Sequence, residues 1–217
     1  MKLKPVDISR TASAATIVFE ALRKAIIEGE MKDGEPLRQD EIAKLFNTSR
    51  IPVREAISRL EEQGLVTSQR YKGAVVAGLS IEEASEVFEF RALVEGDVIR
   101  RSVPLMSKSV LQEARGYCDA FAASPDPMAW GELNRKFHWA LYAACALPYH
   151  LSVIDNAMDR IDRYSRAQLV MSDGMERANR EHLGILTACE SGDADRAAEL
   201  TRAHILGAKE SLTEHMS

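Results

Sequence analysis

The apolar pattern of this chain leaves its helical period in one place, between Leu65 and Ala77. Two short β-prone runs, Leu65-Val-Thr-Ser-Gln69 and Ala74-Val-Val-Ala77, flank Arg70-Tyr-Lys-Gly73, which reads as a hairpin with a basic tip. Three helical stretches precede it. Thr11 to Glu28 carries Ile17, Leu22, Ala25 and Ile26 at helical spacing and stops at Gly29. Beyond a turn-rich link from Lys32 to Pro36, a second helix is expected near Gln39 to Phe46, with Ile42, Ala43, Leu45 and Phe46 as its apolar positions. Asn47 breaks it. The third takes Ser49 as N-cap, Pro52 in its first turn and Gly64 as its stop, and turns Val53, Ala56, Ile57 and Leu60 inward. Short helices with a tight turn between the second and third make a helix-turn-helix, and an adjoining hairpin makes it winged.

On the third helix Arg50, Arg54 and Ser58 occupy a separate face, with the two arginines one turn apart near its start. A recognition helix presents its side chains to base edges and phosphates there. A solvated arginine face on an ordinary amphipathic helix is the alternative. At the hairpin tip Arg70, Lys72 and the Gly73 backbone offer cations and a free N–H to a groove, against the alternative of a plain surface hairpin. Charge follows this division. Residues 1–78 hold 13 Lys and Arg against 11 Asp and Glu, whereas the remainder holds 15 against 22, which together give the net −5. A mildly basic unit on an acidic body suits a DNA reader carried by something else.

Ser80, with Glu83 three residues on, forms a capping box after Leu79, and everything beyond it reads as helix. Helices are expected near 81–103, 107–123, 126–146, 149–171, 173–191 and 194–214. The predicted architecture is mainly α: residues 1–10 a flexible arm, 11–78 a winged helix-turn-helix, and 79–217 an all-helical antiparallel bundle. No run approaches the ~18 consecutive apolar residues of a membrane span, and the N-terminus lacks a signal-peptide core, so a cytoplasmic chain without membrane contact is expected. Cys118, Cys145 and Cys189 are odd in number and widely spaced, which excludes a disulfide framework and reads as buried small side chains.

Three of the five histidines carry a pattern. Asn134 and His138 lie one turn apart on one helix face. His182 and His204 flank the Ser191-Gly-Asp193 turn at nearly equal separation, so antiparallel helices would bring them to one level. Three imidazoles and one amide oxygen make a site for a first-row divalent metal with positions left open, and a neutral ligand set leaves the ion its full charge to attract carboxylates. Hydrogen-bonded core histidines are the alternative on residues alone.

Residues 11–78 resemble the winged-helix domain of GntR-type bacterial transcription regulators, through Ser49-Arg-Ile-Pro-Val-Arg-Glu-Ala56 and Arg59-Leu-Glu-Glu-Gln-Gly-Leu-Val66. The resemblance implies operator contacts from Ser49, Arg50 and Arg54, with Arg38 and Gly73 in support; Asp40 stands where some relatives have arginine. The rest resembles the FCD effector domain of the FadR branch, through Phe88-Glu-Phe-Arg-Ala-Leu-Val-Glu95, Asn134-Arg-Lys-Phe-His138, Glu181-His182 and Gly192-Asp-Ala-Asp-Arg-Ala-Ala198 leading to His204. It implies a divalent metal, zinc or nickel, on Asn134, His138, His182 and His204. It also implies an effector carboxylate on Arg91, against the alternative of an internal Arg91–Glu95 ion pair; Arg163, Tyr164 and Arg166 are further candidates for the pocket wall.

The expected function is therefore a ligand-responsive transcription regulator: a homodimer on a palindromic double-stranded operator, repressing until a small organic acid binds. Two alternatives remain. One is a regulator with acyl-type or metal-only sensing. The other is a metal-dependent hydrolase with a DNA-binding appendage, which needs a general base near the metal.

Overall fold

The computed structural model describes residues 13–171 and 174–216. The expected arm, with Lys2, Lys4 and Arg10, lies outside them, as do the side chains of Arg163 and Arg166. The chain divides into two compact units, after Gly78.

In the first unit, α1 (Ala14–Ile27) starts where Ser13 accepts from the Thr16 N–H at 3.1 Å. Its buried face is Ala15, Val18, Phe19, Leu22 and Ile26. Ile17, one residue off that stripe and so about 100° around the helix, is half exposed, contrary to the sequence expectation. α2 (Gln39–Leu45) buries Ile42 and Ala43 and turns Leu45 out to solvent. Asn47 adopts a positive φ of 47° and the Thr48 N–H returns to Ala43 O, which closes the tight turn into α3 (Arg50–Glu62). Val53, Ala56, Ile57 and Leu60 of α3 are buried against α1, where the Arg59 guanidinium also lies 3.8 Å from the centre of the Phe19 ring. Ser49 holds the N-cap position without a side-chain capping bond. Gly64 ends the helix at φ 71°, a conformation that favours glycine.

β1 (Val66–Gln69) pairs antiparallel with β2 (Gly73–Val76), from Val66 opposite Val76 to Gln69 opposite Gly73. Val66, Val75 and Val76 face the core. The far edge of β2 is covered by the link before α2, through Leu37 N–H to Ala74 O and Gly34 N–H to Val76 O.

The second unit is helical throughout its described residues: α4 (Ile81–Ser102), α5 (Lys108–Ala123), α6 (Pro127–Tyr142), α7 (Pro148–Met171), α8 (Gly174–Glu190) and α9 (Ala194–Met216). Ser80 and Glu83 form the expected capping box at the start of α4. The Leu79 N–H donates to the Tyr164 hydroxyl at 2.8 Å, so Tyr164 ties down the entry to α4. α4 packs along α9, α5 packs on α6 and α8, and α8 returns as α9 through Gly192, φ 74°, with the Asp193 carboxylate accepting from the Arg196 N–H. Gly96 permits the close approach of α9: a β-carbon there would stand 2.5 Å from Arg202 Nε. All three cysteines are buried and unpaired. No described helix is long and apolar enough to cross a membrane.

Candidate metal centre and DNA-reading surface

α3 exposes Ser49, Arg50, Arg54 and Ser58 along one side because its apolar positions consume the other. The two arginines differ in their surroundings. Arg50 Nε is ion-paired to Asp40 Oδ1 of α2, whereas Arg54 has no ion-pair partner among the described residues. Arg38 is exposed and bonded to Glu41 at 3.0 Å. At the hairpin tip Arg70, Tyr71, Lys72 and Gly73 are all exposed, with the Arg70 guanidinium 5.0 Å from the Tyr71 ring centre and Gly73 at φ 75°.

In the bundle, His138 of α6, His182 of α8 and His204 of α9 converge, each offering a ring nitrogen within 4.8 Å of the others. His138 and His182 are fully buried and His204 is 8% exposed. The level-matching across the Ser191–Asp193 turn thus holds: the His182 and His204 ring centres are 4.8 Å apart. Burial first, and then the neighbouring imidazole of His204, hold His138 and His182 well below the ordinary histidine pKa. They are neutral, the form that ligates a metal.

Outer contacts orient two of the rings. His204 Nδ1 lies 2.7 Å from Glu181 Oε2, and His138 Nδ1 lies 3.3 Å from the Tyr142 hydroxyl, which donates to Glu95 Oε2 at 2.8 Å. Burial and the Glu95 carboxylate push the Tyr142 pKa well up, so this hydroxyl keeps its proton. Both partners favour the tautomer with Nδ1 protonated and Nε2 turned inward. The His138 and His204 Nε2 atoms then face each other at 3.2 Å. That separation matches the roughly 3.3 Å between two nitrogens bound tetrahedrally to one zinc-sized ion. Both ring nitrogens of His182 are buried without a hydrogen-bond partner, which costs stability unless something else satisfies one of them. The residues fit a divalent ion.

Asn134 is half buried, one turn before His138, and lines a cavity of about 30 Å³ together with Arg91, Arg177 and His204. Arg91 is buried and paired with fully buried Glu95, Nε to Oε1 at 2.6 Å, so the internal ion pair is realised. The sequence assigns nothing to Tyr142 or Arg177, and Glu181 enters it only as a candidate general base for the hydrolase alternative, turned about 100° from His182. Tyr142 was legible four residues after His138 on the same face. Glu181 points away from its neighbour His182 and reaches His204 on the next helix, a contact no local pattern records.

Residues 86–207 match the FCD domain, and residues 14–76 match the gntR family of bacterial regulatory proteins. The chain belongs to the GntR family. It is a DNA-binding transcription regulator of the FadR type, with an FCD domain after the winged helix. This GntR protein is 28% identical over 201 residues to the HTH-type transcriptional repressor GlaR of Escherichia coli, an alignment covering 87% of this chain and 90% of that one. A GntR-family regulator of known structure from Pseudomonas syringae is 32% identical, with 94% of this chain and 86% of that chain covered at a TM-score of 0.58. E. coli McbR/YncC shares the fold at a TM-score of 0.84, with 17% identity over 95% of this chain and all of that one. Family membership also sets aside the hydrolase alternative, and the geometry agrees: Glu181 is engaged at the outer nitrogen of a candidate ligand.

Proposed function

We propose that this GntR regulator is a homodimeric repressor whose FCD domain holds one divalent metal on His138, His182, His204 and Asn134 and responds to a small carboxylate. The observation that carries the metal is His182, whose two buried ring nitrogens lack hydrogen-bond partners beside two inward-facing imidazoles. All four ligands are uncharged, so a zinc or nickel ion there supplies an uncompensated positive charge that attracts an organic acid. A cavity of about 30 Å³ suits a short head group rather than an acyl chain, since sites for larger molecules run to roughly 300 Å³ or more. Ser49, Arg50 and Arg54, supported by Arg38, Arg70, Lys72 and Gly73, form the operator-reading set, and two-fold symmetry of the dimer matches a palindromic operator. Effector and operator oppose each other through a reciprocal coupling energy.

The deciding experiment is metal content of chelator-free protein by mass spectrometry, beside His138→Ala and His182→Ala. About one equivalent, abolished by both substitutions, is the expected result for a three-histidine site. A wild-type protein that takes up neither zinc nor nickel overturns the metal reading.

A further inference from the structure

We propose that Arg177, and not Arg91, is the side chain that receives the effector's carboxylate; this rests on the carboxylate-effector reading above. Both arginines line the same small cavity with Asn134 and His204. They differ in what they are free to do.

Arg91 is committed. Its side chain is 8% exposed and its Nε and Nη2 both reach Glu95, at 2.6 and 3.4 Å. Glu95 is fully buried and also accepts from Tyr142, so it belongs to the contacts that orient His138. A ligand that drew Arg91 away would strand a buried carboxylate, which strongly disfavours that exchange.

Arg177 is held more loosely: among the described residues its carboxylate partner is Glu181, in a long ion pair. It lies on α8, one turn before Glu181, and its Nε is buried with no hydrogen-bond partner among the described residues. The nearest carboxylate oxygen among the described residues, Glu181 Oε1, stands 3.6 Å away, beyond hydrogen-bond length, and the other oxygen of Glu181 is held by His204. The Arg177 side chain is 32% exposed against 8% for Arg91, so it is the more accessible of the two arginines at the cavity. A guanidinium offers two parallel N–H groups to a carboxylate, a geometry that lysine cannot reproduce. The cavity volume selects the class of ligand: a short-chain carboxylate whose acid group enters beside His204 and whose remainder lies toward the opening. Because Glu181 touches both Arg177 and His204, occupancy at Arg177 and metal affinity are coupled, and the coupling is reciprocal.

The test is calorimetric titration of the zinc-loaded full-length protein with acetate, lactate, malonate and citrate, using wild type, Arg177→Gln and Arg177→Lys, with zinc content measured in parallel. The expected result is binding of at least one of these acids to the wild type, weakened about tenfold or more by Arg177→Gln and to a lesser degree by Arg177→Lys, at unchanged zinc content. Arg177→Lys keeps the charge and the stem, so it remains informative if the glutamine variant is unstable. Wild-type affinity in both variants overturns the assignment to Arg177 and leaves the carboxylate reading standing. If none of the four acids binds zinc-loaded wild type, the carboxylate reading falls and this assignment with it.

Discussion

The Nε2 atoms of His138 and His204 face each other at 3.2 Å inside the bundle, each turned inward by a partner on its own Nδ1. The space between them is filled by an ion or by a proton on one of the two Nε2 atoms. The choice between these states has consequences for stability, affinity and pH.

Metal removal is expected to destabilise the second unit specifically. An ion present at a thousandfold over its dissociation constant adds about 4 kcal/mol, on the order of 10 °C in Tm for a unit of this size. Calorimetric melting with and without a chelator, followed by zinc add-back, checks this. An unchanged Tm on chelation excludes a stabilising ion.

Tyr142→Phe removes one hydroxyl that serves two buried partners, Glu95 and His138. The expected loss of zinc affinity is roughly 10- to 100-fold, the usual effect of deleting an outer contact to a ligand. Competition against a chromophoric chelator measures it, and circular dichroism checks that the helices persist. Equal affinity in the variant shows that His138 needs no such orientation.

The metal-free protein is expected to lose stability in acid. His138 and His182 are held well below the ordinary value of 6.5, chiefly by burial, so between the folded and unfolded pKa values the unfolded chain binds more protons. Stability is complete above about pH 6.5 and falls as pH drops below it, approaching about 1.4 kcal/mol per pH unit for each histidine until the folded pKa is reached. Urea titrations of chelator-treated protein from pH 8 to 5 measure this, and a flat profile contradicts neutral burial.

Arg54→Ala is expected to weaken operator binding by about 1–3 kcal/mol while leaving the fold intact, because the side chain is exposed and has no ion-pair partner among the described residues. Asp40→Asn is expected to act in the opposite direction, since it releases Arg50 from its ion pair and removes a negative charge from beside the proposed operator-reading arginines. Fluorescence anisotropy at two salt concentrations separates these effects. An Asp40→Asn protein that binds DNA more weakly shows that the Arg50–Asp40 pair positions Arg50 instead of restraining it.

What the sequence by itself determined lies within single elements. The core stripe of α3, the Ser80–Glu83 capping box, the hairpin and the level of His182 with His204 follow from fixed helical and strand geometry, in which spacing along the chain is distance in space. The Arg91–Glu95 pair was legible as one of two readings for the same reason, four residues on one helix face. Tertiary structure decided everything that depends on how a helix is rotated against its neighbours. It exposed Ile17 and Leu45 despite their apolar spacing, brought Asp40 onto Arg50 and carried Glu181 across from α8 to His204. It also paired Arg91 with Glu95 and left the Arg177 Nε without a hydrogen bond among the described residues. Periodicity says which residues share a face. Only packing says what that face meets.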